Sequence, residues 1–323
     1  MSITTVPETT PTEIGPETPP SKPVAKGETL GVRQGGWFVR ITIVVVAVIW
    51  LIPTLGVLIS SFRPQALVDS TGWWTVFTSP SEWLDWTLEN YRAVFETRAF
   101  GNAFLNSLAV TVPATVIPIT IAAFAAYAFS WMDFRGRYVM FVAVVGLLVV
   151  PLQMALIPIL RLYTGGAQWG PITIFPDLNL TGTYLGVWLA HAAFGLPLAV
   201  YLLRNYIGSL PSEIIESARI DGADHFTIFW RLIVPLSVPA LAAFAIFQFL
   251  WVWNDFLVAL VFLGGTEDVR VLTVALQSLA GQRGENWHLL TSAAFITMML
   301  PFVVFFTLQR YFVRGLTAGS VKG

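Results

Sequence analysis

A short run of polar and aromatic residues interrupts one of the most apolar stretches of the chain. The surrounding segment, residues 236–263, consists mainly of Leu, Phe, Val and Ala. Carboxylate and amide groups beside flat aromatic faces can bind hydroxyl-rich molecules. The residues that could do so here are Gln248, Trp251, Trp253, Asn254 and Asp255. If the segment is one helix, Gln248 and Asp255 lie two turns apart on one face, with Trp251 between them.

Two interpretations of Asp255 are open. An ionised side chain at membrane depth costs about 2.5 to 3.5 kcal/mol, so it should face water or the interior of a helix bundle. In the first interpretation, the whole cluster lines the path of a hydroxyl-rich substrate. In the second, Asp255 caps or hydrogen-bonds a neighbouring helix. His191 lies in another apolar stretch and is either a packing residue or a partner of Asp255 or Gln248.

Several classes of reaction chemistry lack the residues they need. Cysteine is absent, which excludes disulfides and thiolate metal sites. The histidines lie far apart and outside any H-E-x-x-H zinc motif, and no lysine follows a glycine as a Walker A loop requires. These residues are His191, His225 and His288, and Lys22, Lys26 and Lys322. The net charge of -1 indicates no nucleic-acid partner. We therefore predict that the chain is not an enzyme and holds no metal or cofactor of its own.

The longest polar stretch between apolar segments is residues 210–224, and it has a helical pattern. Pro211 suits a first helical position, acidic residues favour the positive end of a helix, and Gly222 can end it in a left-handed conformation. The acidic residues are Glu213 and Glu216, and the predicted apolar face comprises Ile214, Ile215 and Ala218. The sequence thus predicts a short amphipathic helix over residues 211–221, which a soluble partner could hold.

The spacing of this loop carries a family resemblance. Glu216-Ser217-Ala218 is followed after three residues by Gly222, and after nine more by Leu232-Ile233-Val234-Pro235. This resembles the EAA loop of binding-protein-dependent ABC importer permeases, whose pattern is E-A-A, three residues, G, nine residues, I, any residue, L-P. Ser, Leu and Val replace Ala, Ile and Leu of the pattern and keep their size or apolarity. The EAA-type loop would span residues 206–235.

The resemblance implies both partners and site residues. In this family the loop helix couples the permease to ATPases, so ATP would be bound by partner subunits. The coupling residues would be Glu213, Glu216, Ser217, Ala218, Asp221, Gly222, Ala223 and Pro235. The implied partners are a second homologous permease subunit, two ATP-binding subunits and an extracytoplasmic sugar-binding protein.

Further motifs resemble the carbohydrate branch of the family, in its MalG-like half. They are Asp221-Gly222-Ala223, Trp253-Asn254-Asp255-Phe256 and the C-terminal residues 315–323. Gly72-Trp73-Trp74 resembles a turn of α-glucoside permeases. The resemblance thus implies a subunit that forms half of the translocation pore of an ATP-driven sugar importer.

Composition predicts an all-α, polytopic membrane protein. Of 323 residues, 55% are hydrophobic and 11% charged, and the mean hydropathy is +0.70. Six apolar stretches approach or exceed the roughly 20 residues that cross a bilayer. They are residues 41–59, 103–129, 138–160, 183–203, 236–263 and 288–309. Residues 1–36 are rich in Pro, Thr and Glu and should be a disordered cytoplasmic tail, which leaves residues 37–323 as the transmembrane domain.

The distribution of basic residues predicts the orientation in the inner (plasma) membrane. With cytoplasmic N- and C-termini, twelve of the 18 Lys and Arg residues fall on the inner side and six on the outer side, as the positive-inside rule requires. The predicted coupling helix is then cytoplasmic. The outer segment, residues 63–98, is rich in Trp and acidic residues, and is either an interfacial aromatic belt in contact with membrane lipid or a docking surface for a binding protein.

Two other classes of membrane protein remain as alternatives. A secondary transporter or channel that needs no ATPase would carry charged relays or inverted repeats in its spans, and Asp255 alone offers a charge there. A polytopic membrane enzyme would need a nucleophile or a metal cluster. Co-purification with an ATPase distinguishes the importer from both.

Overall fold

The computed structural model describes residues 36–280 and 286–318. The predicted tail, except Gly36, and residues 319–323 of the C-terminal motif lie outside these ranges. The chain forms two compact units that divide between Ile52 and Pro53. In the first unit, the described residues form the start of a long apolar helix. All contacts described below lie within the second unit.

Helices account for most of the described chain. The α-helices are α1 (Trp37–Ser61), α2 (Gln65–Ser70), α3 (Glu89–Glu96), α4 (Arg98–Trp131), α5 (Arg137–Gly146), α6 (Leu152–Gly165), α7 (Tyr184–Ile207), α8 (Ser212–Ile220), α9 (His225–Ile228), α10 (Val234–Trp253), α11 (Leu257–Phe262), α12 (Leu272–Leu279) and α13 (Trp287–Ala318). 3₁₀-helices cover Trp73–Phe77, Pro80–Asp85 and Leu147–Val149, and a π-helix covers Phe229–Ile233. β1 (Ala167–Trp169) and β2 (Ile172–Phe175) form a small antiparallel hairpin.

Within the described residues, five helical segments are long and apolar enough to cross a membrane, and a bent pair makes up to six. This confirms the predicted all-α, polytopic architecture. The predicted third span, residues 138–160, is not straight, because its two helical parts meet at 107°. Pro151 explains the break, since it lacks an N–H and drives the preceding Val150 into extended backbone.

The predicted fifth span is also interrupted. Residues 236–263 are not one helix, because α10 ends at Trp253 and α11 begins only at Leu257. Asn254 at the break has φ −89° and ψ 0°, outside the helical region. The backbone N–H and the side-chain amide of Asn254 both donate to the Leu250 carbonyl, at 3.2 and 2.7 Å, at the end of α10.

The bundle is built on α4, α7, α10 and α13. α4 packs most extensively against α7, and α10 packs against both α4 and α13. Alanines with no exposed surface lie along α4 and α7, and such small residues let membrane helices approach closely. Examples are Ala114, Ala122, Ala126, Ala190 and Ala199.

Polar contacts hold the end of the bundle where α4 and α7 begin. The Asn106 amide donates to the carbonyls of Asp268 and Arg270 at 2.9 and 3.1 Å, and its oxygen accepts from the Tyr184 hydroxyl at 2.7 Å. The Ser107 hydroxyl accepts the N–H of Leu272, the first residue of α12. The segment between α11 and α12 is thereby fixed to the bundle.

The segment between α1 and α4 is organised around a buried arginine. The Arg63 side chain is 1% exposed and donates to the Glu82 carboxylate at 2.8 Å and to the hydroxyls of Thr71 and Thr75. A buried guanidinium needs such partners, because an unpaired charge in the interior is strongly unfavourable. Trp74 and Phe77 remain exposed, and their role as a lipid belt or a docking surface stays a prediction.

Candidate functional site

The polar loop after α7 folds into the predicted amphipathic helix. α8 lies within residues 211–221, with Pro211 immediately before its first turn and Glu213 in that turn. Proline at the start and a carboxylate in the first turn both suit the free N–H groups and positive end of a helix. Local sequence signals therefore set where this helix begins.

The end of α8 is fixed by Gly222. Its φ of +80° is the predicted left-handed conformation. The N–H of Gly222 donates to the Arg219 carbonyl at 3.0 Å, and the N–H of Ala223 donates to the Ala218 carbonyl at 2.9 Å. This pair of bonds is a Schellman motif, which satisfies carbonyls that the helix itself leaves free. The chain then turns into α9.

One face of α8 anchors it to the bundle. Ile215 is 2% exposed and belongs to the same buried cluster as Leu203 of α7 and Phe229 of the π-helix, and Ala218 packs against that cluster. The predicted apolar face is wrong at Ile214, which is exposed. Consecutive residues are turned about 100° around a helix, so Ile214 cannot share the centre of the face with Ile215.

The opposite face of α8 is exposed and mixed in character. Its exposed polar residues include Glu213, Glu216, Ser217 and Asp221. Beside them, Ile220 is 86% exposed and Phe226 of α9 is 67% exposed. Exposed apolar side chains beside charged ones are compatible with contact to a protein partner. The structure thus brings most of the predicted coupling residues to one accessible surface.

Side chains outside the loop hold α8 against the ends of α4 and α7. Arg219 donates to the carbonyl of Trp131, the last residue of α4, at 3.1 Å. The Trp131 indole donates in turn to the carbonyl of Ile207, the last residue of α7, at 3.1 Å. The Tyr127 hydroxyl and His225 Nδ1 are 2.8 Å apart. Nothing local in the sequence marks Trp131 and Tyr127 as partners of this loop, because they lie so far from it along the chain.

The return from the loop to α10 has its own local signals. Asp224 accepts the N–H of Thr227 at 2.8 Å and caps α9. Hydrogen bonds from the Thr227 side chain and N–H hold the pKa of Asp224 below its ordinary value. The π-helix follows, and the N–H of Val234 donates to its first carbonyl. Pro235, exposed at the start of α10, has no N–H to continue an α-helical ladder, which favours this wider turn.

The polar cluster of residues 248–255 does not form one helical face. Because α10 ends at Trp253, the predicted alignment of Gln248 with Asp255 is wrong. Asp255 instead caps α11: its carboxylate accepts the N–H groups of Val258 and Ala259 at 3.3 and 2.9 Å. The capping interpretation is confirmed. A part for Asp255 in a substrate path stays a prediction.

His191 is the buried neighbour of Asp255. The imidazole has no exposed surface, and its Nε2 lies 3.7 Å from the Asp255 carboxylate. The Trp251 ring meets it edge-on, with centroids 5.3 Å apart. Among the described residues, neither ring nitrogen has a hydrogen-bond partner. The structure therefore brings His191, Asp255 and Trp251 together, although no one helix carries all three.

Gln248 and Trp251 line a cavity along α7 and α10. Its volume is about 570 Å³, and the other lining side chains are mainly apolar, such as Phe194, Leu198 and Phe244. Trp253 lies elsewhere: it is buried between Phe104 and Phe249, with ring centroids 5.7 and 5.8 Å away. Two of the five predicted path residues thus face one cavity in this conformation.

No three His, Cys, Asp or Glu side chains come together to hold a metal ion within residues 36–280 and 286–318. The polar groups that the structure does bring together are hydrogen-bond donors and acceptors beside aromatic rings. They can bind and orient a polar molecule, and they can hold helices in register.

Comparison with known proteins identifies relatives of the chain. Residues 104–318 match the family described as "Binding-protein-dependent transport system inner membrane component". The "Osmoprotective compounds uptake permease protein GgtD" of Synechocystis sp. is 59% identical over 88% of this chain and 91% of its own length. The "Alpha-glucoside transport system permease protein AglG" of Rhizobium meliloti is 62% identical over 73% of this chain, which spans 60% of that relative.

A solved structure shares the fold. In a bacterial ABC transporter involved in the import of the acidic polysaccharide alginate, one chain matches with a TM-score of 0.66. The match covers 85% of this chain and 96% of that chain at 22% identity. The helical arrangement described above therefore recurs in a solved transporter chain.

Proposed function

Because the chain belongs to the family of binding-protein-dependent transport system inner membrane components, we propose that it is one transmembrane subunit of an ATP-driven sugar importer. Family membership makes it a multi-pass component of the inner membrane whose transport depends on a binding protein. This membership does not support the alternative of a secondary transporter or channel. In the proposal, residues 37–323 of this chain form half of the pore and a second homologous permease forms the other half. Two partner subunits bind ATP. Both termini are cytoplasmic.

The surface of α8 is the observation that carries this proposal. The helix is anchored through Ile215 and exposes Glu216 and Ile220, so a partner can hold it without breaking its contact with the bundle. ATP-driven closure of the partner shifts the permease only if it favours one permease conformation over the other. Reversing a 1:99 population takes about 5.5 kcal/mol. We propose that this free energy enters at α8 and reaches α4 and α7 through Arg219 and Trp131.

Purification of the tagged protein from its own membrane tests the proposal. We expect ATP-binding subunits to co-purify in a ratio of about one per permease polypeptide, as the two-plus-two assembly of the proposal requires. The isolated complex, reconstituted in vesicles with its binding protein, should hydrolyse ATP faster when sugar is added. A permease that purifies without an ATPase and transports in vesicles lacking ATP would contradict the proposal.

We propose that the substrate is a neutral sugar of the α-glucoside class. The cavity bordered by Gln248 and Trp251 offers an aromatic face, and no Lys or Arg is among the described residues that line it. The relative named for α-glucosides supports this class, and the relative named for osmoprotective compounds supports a second one. A panel of α-glucosides, β-glucosides and non-sugar osmoprotectants in the vesicle assay distinguishes them.

Replacing Trp251 tests the path. An aromatic face beside a ligand contributes about 0.5 to 1.5 kcal/mol beyond its buried area, so Trp251→Ala should slow uptake by about tenfold. Trp251→Phe keeps an aromatic face and should lose much less. Uptake is measured with saturating sugar-loaded binding protein, with ATPase retention as the control for assembly. Equal loss in both variants would contradict a role for the ring.

Two replacements of Asp255 separate its capping role from a role in the path. Asp255→Leu leaves the N–H groups of Val258 and Ala259 without acceptors, which should lower the free energy of unfolding by about 1 to 3 kcal/mol. It should remain inserted, since removing a carboxylate favours insertion, but lose most transport. Asp255→Asn keeps one acceptor and should be nearly as stable as wild type. If Asp255→Asn transports normally, the charge has no part in the path and only the cap remains.

A further inference from the structure

Prolines within the described helices of the bundle leave backbone carbonyls without their usual partner. In an α-helix the carbonyl of each residue accepts the N–H four residues later, and proline has no N–H to give. Pro197 of α7 and Pro239 of α10 also lie inside helices of the bundle, but no side-chain donor to the carbonyls they free is found among the described residues. Pro113 and Pro118 lie inside α4, and Pro301 lies inside α13. The carbonyls they free belong to Ala109, Ala114 and Thr297. In an apolar bundle an unsatisfied carbonyl is costly, so another donor is needed.

Each of these carbonyls accepts a side-chain N–H from a facing helix. The Trp188 indole of α7 donates to Ala109 at 2.8 Å, and the Gln248 amide of α10 donates to Ala114 at 3.1 Å. The Trp253 indole of α10 donates to Thr297 at 3.1 Å. The same arrangement thus occurs at each of the main interfaces of α4 and α13, with a different donor each time.

The Gln248 contact joins three helices. Its amide donates to α4, and its side chain lies directly against Gly195 of α7. A Cβ at Gly195 would lie 2.6 Å from Gln248 Oε1, so a larger residue there would displace the amide. The orientation that reaches Ala114 is therefore fixed from two sides.

We propose that Trp188, Gln248 and Trp253 are positioning residues that join α4, α7, α10 and α13 into one moving body through the proline-freed carbonyls. The inference deepens the proposed function and rests on it, because a permease must pass the motion of α8 to its whole bundle. Gln248 borders the cavity, but its amide nitrogen is occupied by Ala114. We therefore expect that replacing Gln248 impairs transport because a contact between helices is lost, and not because contact with the sugar is lost.

Restoring the missing backbone N–H tests the inference. Gln248→Leu removes the donor and should reduce sugar uptake per ATP hydrolysed by about tenfold. Pro118→Ala supplies an N–H at position 118 for the Ala114 carbonyl and should be close to wild type. The double variant Gln248→Leu/Pro118→Ala satisfies the Ala114 carbonyl within α4 but leaves α4 and α10 unlinked, so its thermal stability should recover while uptake per ATP stays about tenfold low. Recovery of uptake to within about twofold of wild type overturns the inference, because transport would then need only the satisfied carbonyl and not the link between the helices.

A second pair of variants, at Trp188 and Pro113, covers the case in which Gln248→Leu does not fold. Trp188→Phe keeps the ring and removes the N–H, and Pro113→Ala restores a backbone donor to Ala109. In Trp188→Phe/Pro113→Ala, recovered folding with uptake per ATP still reduced supports the inference, and recovery of uptake overturns it. ATPase retention is measured throughout. Retained ATPase with recovered uptake rejects the positioning role alone, whereas absence of an ATPase from the wild-type complex rejects the proposed function.

Discussion

Glu216→Ala should release the ATPase subunits from the permease while leaving the permease itself folded. Glu216 is exposed on α8, and among the described residues it forms no ion pair, because Arg219 donates to the Trp131 carbonyl instead. An exposed substitution of this kind changes the free energy of unfolding by no more than about 0.5 kcal/mol. Truncating one partner of a buried charge contact costs about 2 to 5 kcal/mol of binding. Retention should therefore fall by at least about thirtyfold.

The measurement is ATPase retention on immobilised permease, alongside sugar uptake and thermal unfolding. Glu96→Ala is the matched control, since Glu96 is also exposed on a short helix but lies in the segment between α1 and α4. It should retain the ATPase as wild type does. Glu216→Gln tests whether ATPase retention needs the charge of this side chain or only its hydrogen bonding. Equal retention and equal uptake by Glu216→Ala and wild type would mean that α8 is not the coupling element.

The α8 helix could be predicted from sequence because its determinants are local. Pro211 and Gly222 mark its ends through their own backbone restrictions, and both act within a few residues of themselves. The anchoring residue Ile215 also follows from helical spacing. The residues of other helices that α8 contacts could not be predicted. Arg219 and Trp131 meet only because α4 and α7 pack together, and their pairing has no signature in either segment.

The polar cluster of residues 248–255 could be predicted in residue type but not in arrangement. Hydropathy treats residues 236–263 as one span, because Asn254 and Asp255 are too few to change the average. The structure ends α10 there and uses the carboxylate to begin α11. A polar residue in an apolar stretch thus signals either a ligand contact or a backbone that needs a partner. These two roles can be distinguished only when the positions of the surrounding helices are known.

The prolines illustrate the same limit. Pro151 breaks its span and Pro118 does not, although both lie in apolar segments. At Pro118 a facing glutamine donates to the freed carbonyl. At Pro151 the chain turns by 107° between two shorter helices. The sequence shows that a donor is missing in both places, and only packing determines whether another helix supplies one.

Gly222→Val should uncouple the permease by deforming the end of α8. Position 222 has φ +80°, and an added Cβ would meet no other atom within 4 Å, so the conflict lies in the backbone alone. The left-handed conformation costs an ordinary L-residue about 1 to 2 kcal/mol, and a β-branched residue more. A penalty of that size changes the population of the native loop by about 5- to 30-fold. The Schellman bonds to Ala218 and Arg219 would be lost with it.

Gly222→Asn provides the matched control, since asparagine tolerates the left-handed conformation better than other non-glycine residues. We expect the valine variant to insert normally, because the loop is outside the spans, but to lose ATPase retention and at least about nine-tenths of uptake. The asparagine variant should keep most of both. The order Gly, Asn, Ala, Val in retention and uptake would identify backbone conformation as the cause. Wild-type transport by Gly222→Val would show that the geometry of this turn does not matter for coupling.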